Sequence, residues 1–414
     1  MKKTQYSLLA ISIALASQVH AAGFQVVEHS ASGLGRAFSG DGVIGDNASE
    51  ISANPAIMTH FDKAQFSGAV SIIDPEIDVY DESTNQGSND IAPLQVVPAI
   101  YYASPINEQW AWGIGMFTSY GVTTDYPTDI AAGDMAGKTS LISFNVNPNI
   151  AYKINDHFSV GAGVSLVYAQ AELKRSLGAV GPIFGQSSSD PLISMKGDTF
   201  SYNWNVGALF EINENNRFGA SYRSSTKLKF KDGTFKDYTG QVLTAGSPGK
   251  TDADLDIELP DIVELAGFHQ LTRQWAVHYS WQWTNWSKFQ QLEATSNNCN
   301  GGVCFNKVEH YEDNQRWAIG TSFQPNDSWI LRAGFAYDEQ AGSPTLSIPD
   351  SDRYWYTAGL TYFWTPDLSF DAGFAYIDSK DGRFEETSPT TGNTSHFRSE
   401  GPAYITSLQV NYSF

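Results

Sequence analysis

Apolar positions alternate with polar or small ones along much of this chain. At its end Leu408, Val410, Tyr412 and Phe414 alternate with Ser407, Gln409, Asn411 and Ser413. Trp275, Val277, Tyr279, Trp281 and Trp283 alternate with Ala276, His278, Ser280 and Gln282, and Trp317, Ile319, Thr321 and Phe323 with Ala318, Gly320 and Ser322. Similar runs start at Phe158 and Trp329. A period of two places one set on each face of a strand. The face opposite the aromatics is rich in Gly, Ala, Ser and Asn, and charges are sparse on both faces. A soluble sandwich would carry its charges on the outer faces. Large apolar residues outward and small or polar ones inward fit a barrel that meets lipid.

The joints between the strands support this. Some are short and rich in turn formers: "SPINEQ" from Ser104, "KINDH" from Lys153, "INENN" from Ile212, "QPNDS" from Gln324 and "WTPDL" from Trp364. Between them lie long polar joints at 174–199, 231–252, 291–310 and 379–402. Short and long joints alternate, as do the periplasmic turns and external loops of an outer-membrane barrel. The expected fold is all-β, a transmembrane antiparallel β-barrel of about 14 strands. Closure would leave no unpaired edge in lipid.

Composition narrows the function. The formal charge of -20 argues against a nucleic-acid partner. A content of 13% aromatic residues is too high for a disordered acidic chain. Lys2, Lys3, an apolar run from Leu8 to Ala16 and the small residues Val19 and Ala21 read as a signal peptide, residues 1–21, cleaved before Ala22. No later stretch is apolar over the roughly 20 residues that a helical span needs. The chain has no G-x-S-x-G elbow, H-E-x-x-H pair or Walker loop, although Ser, His and Asp from distant positions could converge in space. The expectation is a protein that is not an enzyme and uses no cofactor or metal.

Residues 22–63 lack the period of two yet carry Phe24, Val26, Val27, Leu34, Phe38, Ile44, Ile51, Ile57 and Met58. That is too apolar for a flexible tail. A barrel this wide needs filling or conducts water. The segment is therefore expected to be a hatch inside the lumen, with a short helix near Asp46–Ala53 and a turn at Asn54-Pro55, and residues 64–414 to be the barrel.

The order "AGFQ", "SGLGRAFSG", "NPA", followed by "IDPEIDV", "IAPLQVVP", "WAVHYSWQWTNWSKFQQLEATS" and "SIPDSDRYWYTAG", resembles the FadL family of long-chain fatty acid outer-membrane transporters over nearly the whole mature chain. The resemblance implies passive uptake of long-chain fatty acids and similar hydrophobic compounds, with hatch movement triggered by ligand. It implies that Phe24 reaches into the ligand pocket and that Arg175 and Lys307 lie near the ligand head group. Their chemistry suits a carboxylate, Arg as a fork and Lys as a point charge. The same residues could instead be rim cations holding lipopolysaccharide phosphates, a reading that Lys227, Lys229 and Lys231 fit better; Lys174 competes with Arg175. Asp338 matches an Asp that supports the pocket region and could equally be a solvated loop carboxylate. Asn54, Pro55 and Ala56 match a hatch motif linked to transport. Tyr120 and Gly121 match an inward kink that leaves a gap in the wall.

Cys299 and Cys304 depart from the family pattern. In an exported chain they are expected to form a structural disulfide. The apolar residues of 174–199 suggest either a landing groove for substrate or packing against 231–252. Expected partners are long-chain fatty acids, lipopolysaccharide and outer-membrane lipid, with a monomeric barrel in the outer membrane. Uptake of aromatic hydrocarbons, or a role as surface receptor or adhesin, are the alternatives.

Overall fold

The structure is a computed structural model and describes residues 23–414; the signal peptide expected over 1–21 lies outside the described residues. The fold is a closed barrel of 14 antiparallel strands. Closure comes from the first strand, Gln65–Pro75, which pairs with Gln95–Pro105 on one side and with the last strand, Ala403–Ser413, on the other. Phe414 N–H donates to Ala64 C=O, 2.9 Å away, and ends the seam. The alternating C-terminus is thus the closing strand. Every barrel strand has two neighbours, although some ladders are interrupted where strands break.

Six tight turns at one end (106–109, 154–157, 214–215, 271–274, 327–328 and 366–367) oppose longer joints at the other. Outward side chains form an aromatic band next to the tight turns. Trp110–Tyr152, Trp275–Phe323 and Trp329–Tyr362 are cross-strand ring pairs with centroids 4.6, 4.4 and 4.6 Å apart. Such a girdle marks a membrane interface, where ring faces meet lipid and ring edges meet water.

The strands run further out than the period of two suggests. Phe158–Ser176 and Pro191–Asn213 stay paired as far as Ser176 and Pro191, which leaves only 177–190 as a joint. Thr226–Asp237 likewise pairs with Gly249–Leu259, and Gln291–Thr295 with Val303–Val308. Much of the stretches 174–199, 231–252 and 291–310, expected as loop, is therefore strand. Beyond the bilayer the pattern inverts, with Leu228, Phe230, Leu255 and Ile257 buried inward and Lys227, Lys229 and Asp256 facing water, while the ladder continues. Four short strands, Asp78–Asp81, Gln86–Ser88, Gly382–Thr387 and Thr394–Glu400, form a separate small sheet at the long-loop end.

Residues 23–63 fill the lumen. Ser30 caps a one-turn helix, Ala31–Leu34, by accepting from Gly33 N–H. Asn47 and Asn54 cap two 3-10 helices, Ala48–Ser52 and Pro55–His60, in the same way. The Asn54-Pro55 turn thus opens a helix, since Pro is preformed for a first helical position. Asn54 Oδ1 accepts from Ala56 N–H at 3.0 Å, and its Nδ2 donates to Ala208 C=O on the wall, also at 3.0 Å. The small lumen-facing residues make room for this plug. A Cβ at Gly207 would stand 1.9 Å from Asn54 Oδ1. At Gly334 it would stand 2.2 Å from the Arg36 carbonyl carbon.

Buried charges fasten the plug. The Arg36 guanidinium reaches Asp41 at 2.7 Å, Asp46 at 3.0 Å and Glu50 at 3.4 Å. Asp46 also meets Arg332 of the wall at 2.9 Å. Arg223 and Arg316 of the wall donate to the hatch carbonyls of Ser52 (2.7 Å) and Ala37 (3.0 Å).

Candidate ligand-binding site

The leading residues of the hatch reach the wall where one strand breaks. Trp110–Phe117 stops, the chain turns inward through Thr118–Tyr120, and Gly121–Asp125 resumes the strand. Val26 N–H donates to Ser119 C=O at 2.8 Å, and Gly121 N–H to Phe24 C=O at 2.7 Å. The hatch thus supplies a short antiparallel bridge, Gln25 opposite Tyr120. The wall loses its own pairing at that point. Gln95–Pro105 pairs with Trp110–Phe117 only from Ile100 to Pro105, and Gly121–Asp125 pairs only with Gly137–Lys153. An interruption remains between Gln95–Ala99 and the inward kink.

The Phe24 ring is 1% exposed, so the whole ring contributes to holding this segment. Its centroid is 4.6 Å from Trp286, 5.1 Å from Phe289, 6.3 Å from Tyr120 and 6.4 Å from Tyr311, all edge-on, the arrangement aromatic quadrupoles favour. Tyr120 is pinned by its hydroxyl donating to Pro260 C=O at 2.8 Å. On one side of Phe24 opens a slender apolar cavity of about 50 Å³. Leu141, Leu173, Phe230, Ile257, Leu292 and Ile348 are among its walls. On the other side Gln25, Val26 and Val27 border a polar cavity that also meets Ser119, Arg223 and Arg316. The leading hatch segment is the partition between the two.

Arg175 and Lys307 adjoin residues of the apolar cavity wall, Arg175 lying over Phe305 and Lys307 in register with Leu292. Arg175 is buried and faces the lumen. Its Nη1 donates to the carbonyls of Lys138 (3.1 Å) and Lys174 (2.8 Å), and its Nη2 to Thr139 Oγ1 (3.1 Å) and Ser347 Oγ (3.0 Å). Its guanidinium carbon lies 5.8 Å from the centre of the Phe305 ring. Phe305, Thr139 and Ile348 line the apolar cavity, so Arg175 lies next to it, while its own side chain lines a neighbouring polar cavity with Lys138, Lys174 and Tyr238. Lys307, two residues beyond Phe305 on Val303–Val308, is ion-paired with Glu386 of the small sheet. Beside it Glu309 is buried and accepts from Thr345 Oγ1 at 3.0 Å. Burial first, then the Glu386 charge, push the Glu309 carboxyl up to about 7, against the lowering pull of Lys307.

The segment Thr345–Asp350 connects these groups. Leu346 N–H donates to Glu386 and Ser347 accepts from Arg175. Ile348 lines the cavity. Asp350 Oδ2 accepts from Gly23 N–H at 3.1 Å and from Ala341 N–H at 2.7 Å. One loop therefore touches Arg175, the Lys307 partner Glu386, the cavity wall and the start of the hatch.

The other expected residues fall elsewhere. Lys174 points to the opposite face from Arg175 and pairs with Glu172 at 2.9 Å. Lys227, Lys229 and Lys231 are exposed on the outside of Thr226–Asp237, where Lys231 meets Asp254 at 2.6 Å and Lys227 meets Glu258 at 3.6 Å. Asp338 is the buried last residue of Trp329–Asp338, in register with Arg316 and Arg353 on the neighbouring strands. It is no solvated loop residue: Asn314 Nδ2 donates to its Oδ1 at 3.5 Å. Cys299, in the joint before Val303–Val308, is disulfide-bonded to Cys304 on that strand. Leu177, Val180, Leu192 and Ile193 are buried in one cluster with Phe230, Phe235 and Leu243, which is packing between neighbouring loops; Ile183 is exposed. Trp286, Tyr311, Glu309, Asp350 and Glu386 were not singled out from the sequence. Buried carboxylates of this kind carry no local signature.

A membrane barrel plugged by its own leading segment, with an apolar cavity beside that plug, defines a class: a hatch-filled outer-membrane transport barrel. The chain belongs to the outer membrane protein transport family (OMPP1/FadL/TodX), whose pattern it matches over residues 12–414. It is 37% identical to the long-chain fatty acid transport protein of Escherichia coli O6:H1, covering 99% of this chain and 98% of that protein. Outer membrane protein P1 of Haemophilus influenzae is 35% identical with full coverage of both chains, 100% each. Among solved structures, a Pseudomonas aeruginosa FadL homologue aligns with a TM-score of 0.83 at 24% identity, covering 95% of this chain and 100% of that one. The Pseudomonas putida toluene transporter TodX aligns at 0.70 with 18% identity, covering 89% and 94%. At these identities the solved structures speak for the fold alone.

Proposed function

We propose that this protein takes up long-chain fatty acids and chemically similar hydrophobic compounds passively across the outer membrane. One observation carries the reading: an apolar cavity with Arg175 and Lys307 near its Phe305 wall, bounded on its inner side by the leading segment of the hatch at Phe24. An acyl chain gains roughly 0.8 kcal/mol per buried methylene, so a dozen give on the order of 10 kcal/mol before ordering costs. The carboxylate needs cations, because a bare buried charge is far more costly than this gain. Tight binding alone would trap the ligand; release requires the pocket to change. Displacing the Phe24–Val26 bridge would join the apolar cavity to the polar one and to the interrupted wall at Ser119, giving a route past the hatch.

In this reading Asn54-Pro55-Ala56 anchors the hatch while residues 23–27 move. Asp338 steadies the arginines around the hatch. The outward lysines 227, 229 and 231 suit lipopolysaccharide phosphates, the barrel acts as a monomer, and no enzymatic reaction is involved. The aromatic box around Phe24 also favours a second reading, uptake of aromatic hydrocarbons, in which the cations would be superfluous. Uptake of labelled oleate into cells carrying Lys307→Ala or Arg175→Ala decides: a marked loss is expected, and unchanged uptake would reject the head-group assignment.

A further inference from the structure

The head-group region holds two carboxyl groups that the proposed function leaves unused. One of them, Glu386, occupies a telling place. Its two carboxylate oxygens lie 2.9 and 3.0 Å from Lys307 Nζ, and one of them also accepts from Leu346 N–H. The pair is shielded from water, with side chains 11% and 13% exposed. Its charge also acts on Arg175. A lysine, a backbone amide and a nearby guanidinium are the contacts that a fatty acid head group would seek at this end of the cavity.

We propose that Glu386 is the resident occupant of the head-group site, a carboxylate of the protein itself that an incoming ligand carboxylate displaces. The inference rests on reading Lys307 and Arg175 as head-group cations. Its logic is electrostatic. A half-buried lysine without a counter-ion is costly, so the empty site needs an internal anion. Glu386 stands on Gly382–Thr387, whose ladder runs within the small sheet and not to the barrel wall. It can leave without breaking a barrel hydrogen bond. A ligand with a carboxylate replaces its contacts one for one; a neutral ligand does not. The internal anion therefore weakens every acid in proportion to its own occupancy and leaves neutral analogues unaffected.

The exchange also has a consequence for the hatch. When Glu386 leaves, Leu346 N–H loses its acceptor or finds it in the ligand. Four residues further on, Asp350 holds Gly23 N–H. The segment that senses which carboxylate is present is the one that fastens the leading end of the hatch. Differential contacts of this kind are what a ligand needs to shift a gate.

The test is binding of radiolabelled oleate and oleyl alcohol to the purified full-length protein and to Glu386→Gln and Lys307→Met. Glu386→Gln is expected to bind oleate roughly tenfold more tightly and oleyl alcohol unchanged, with Lys307→Met weaker for oleate. If Lys307→Met weakens oleate but Glu386→Gln does not tighten it, Glu386 is a fixed support and the proposal is wrong while the head-group reading stands. If Lys307→Met leaves oleate binding unaltered, the head-group reading fails and takes the proposal with it. Should Glu386→Gln not fold, Glu386→Asp is read by the same criterion, since it withdraws the carboxylate by one methylene and is expected to tighten oleate by a smaller factor.

Discussion

Replacing Phe24 with Ala tests whether the leading hatch segment is a separable gate. The ring is wholly buried among four aromatic neighbours. Truncating such a ring costs about 3–5 kcal/mol. What then still holds residues 23–26 is the main-chain pair to Ser119 and Gly121, the Gly23–Asp350 bond and the bonds that Gln25 Oε1 accepts from Gln282 and Thr284. Five hydrogen bonds at about 0.5–1.5 kcal/mol each supply about 2.5–7.5 kcal/mol. The ring is thus comparable to the hydrogen bonds of the segment taken together. At 1.4 kcal/mol per decade, its loss multiplies the open population by roughly a hundred to a few thousand. Hydrogen exchange read by mass spectrometry reports this directly, because the amides of Val26 and Gly121 are protected only by this bridge. Peptides covering 23–30 and 118–125 should exchange faster by that factor, while a peptide within the strand Trp329–Asp338 keeps its rate. Acceleration below tenfold, or equal acceleration in the barrel strand, would refute the idea of a local gate.

Other variants probe the rest of the arrangement. Arg36→Met leaves Asp41, Asp46 and Glu50 without their shared cation; breaking a buried ion pair costs about 3–5 kcal/mol, so the hatch should unseat and planar-bilayer conductance should rise, whereas an unchanged trace would show that other contacts hold it. Gly207→Val should act similarly, because its Cβ would collide with Asn54, and normal closure in that variant would contradict the tight seat of the hatch. For Glu309 the folded carboxyl lies at about 7 against an ordinary 4.5. The folded state therefore binds the extra proton, and this contribution to stability is complete below the ordinary value and lost as pH rises through about 7. The thermal midpoint of Glu309→Gln minus that of wild type should grow from pH 5 to pH 7 and then level off, and a constant difference would count against the burial of this group.

The wall of this molecule was legible because a bilayer enforces a strict rule. Trp275, Tyr279 and Trp317 must face lipid, so the period of two survives in the membrane zone and names the strands there. The lipid-facing apolar set ends at the bilayer surface, which is why 174–199 looked like loop although Lys174 and Ser194 are paired strand residues. The hatch was visible only as excess apolarity. Its one-turn helices owe their shape to caps and to the glycines they press against, and the one-turn helix at Ala31–Leu34 has too few residues to show a period. Phe24, Arg175 and Lys307 were reached through resemblance, since a single aromatic or cation has no signature of its own. The partners that define their chemistry, Glu386 for Lys307 and Asp350 for Gly23, lie 79 and 327 residues away in sequence. Only the folded loops bring them together.

The claim on which the account depends is that an acyl carboxylate rests at Arg175 and Lys307 with its tail in the apolar cavity beneath. A crystal structure of the protein with a terminally brominated fatty acid addresses it, because anomalous scattering fixes the position of the bromine. The account predicts bromine among the cavity residues, such as Leu292 and Phe230, with the carboxylate oxygens within hydrogen-bonding distance of Lys307 Nζ. Bromine confined to the outer aromatic band, or a carboxylate lying away from both cations while the cavity stays empty, would contradict it.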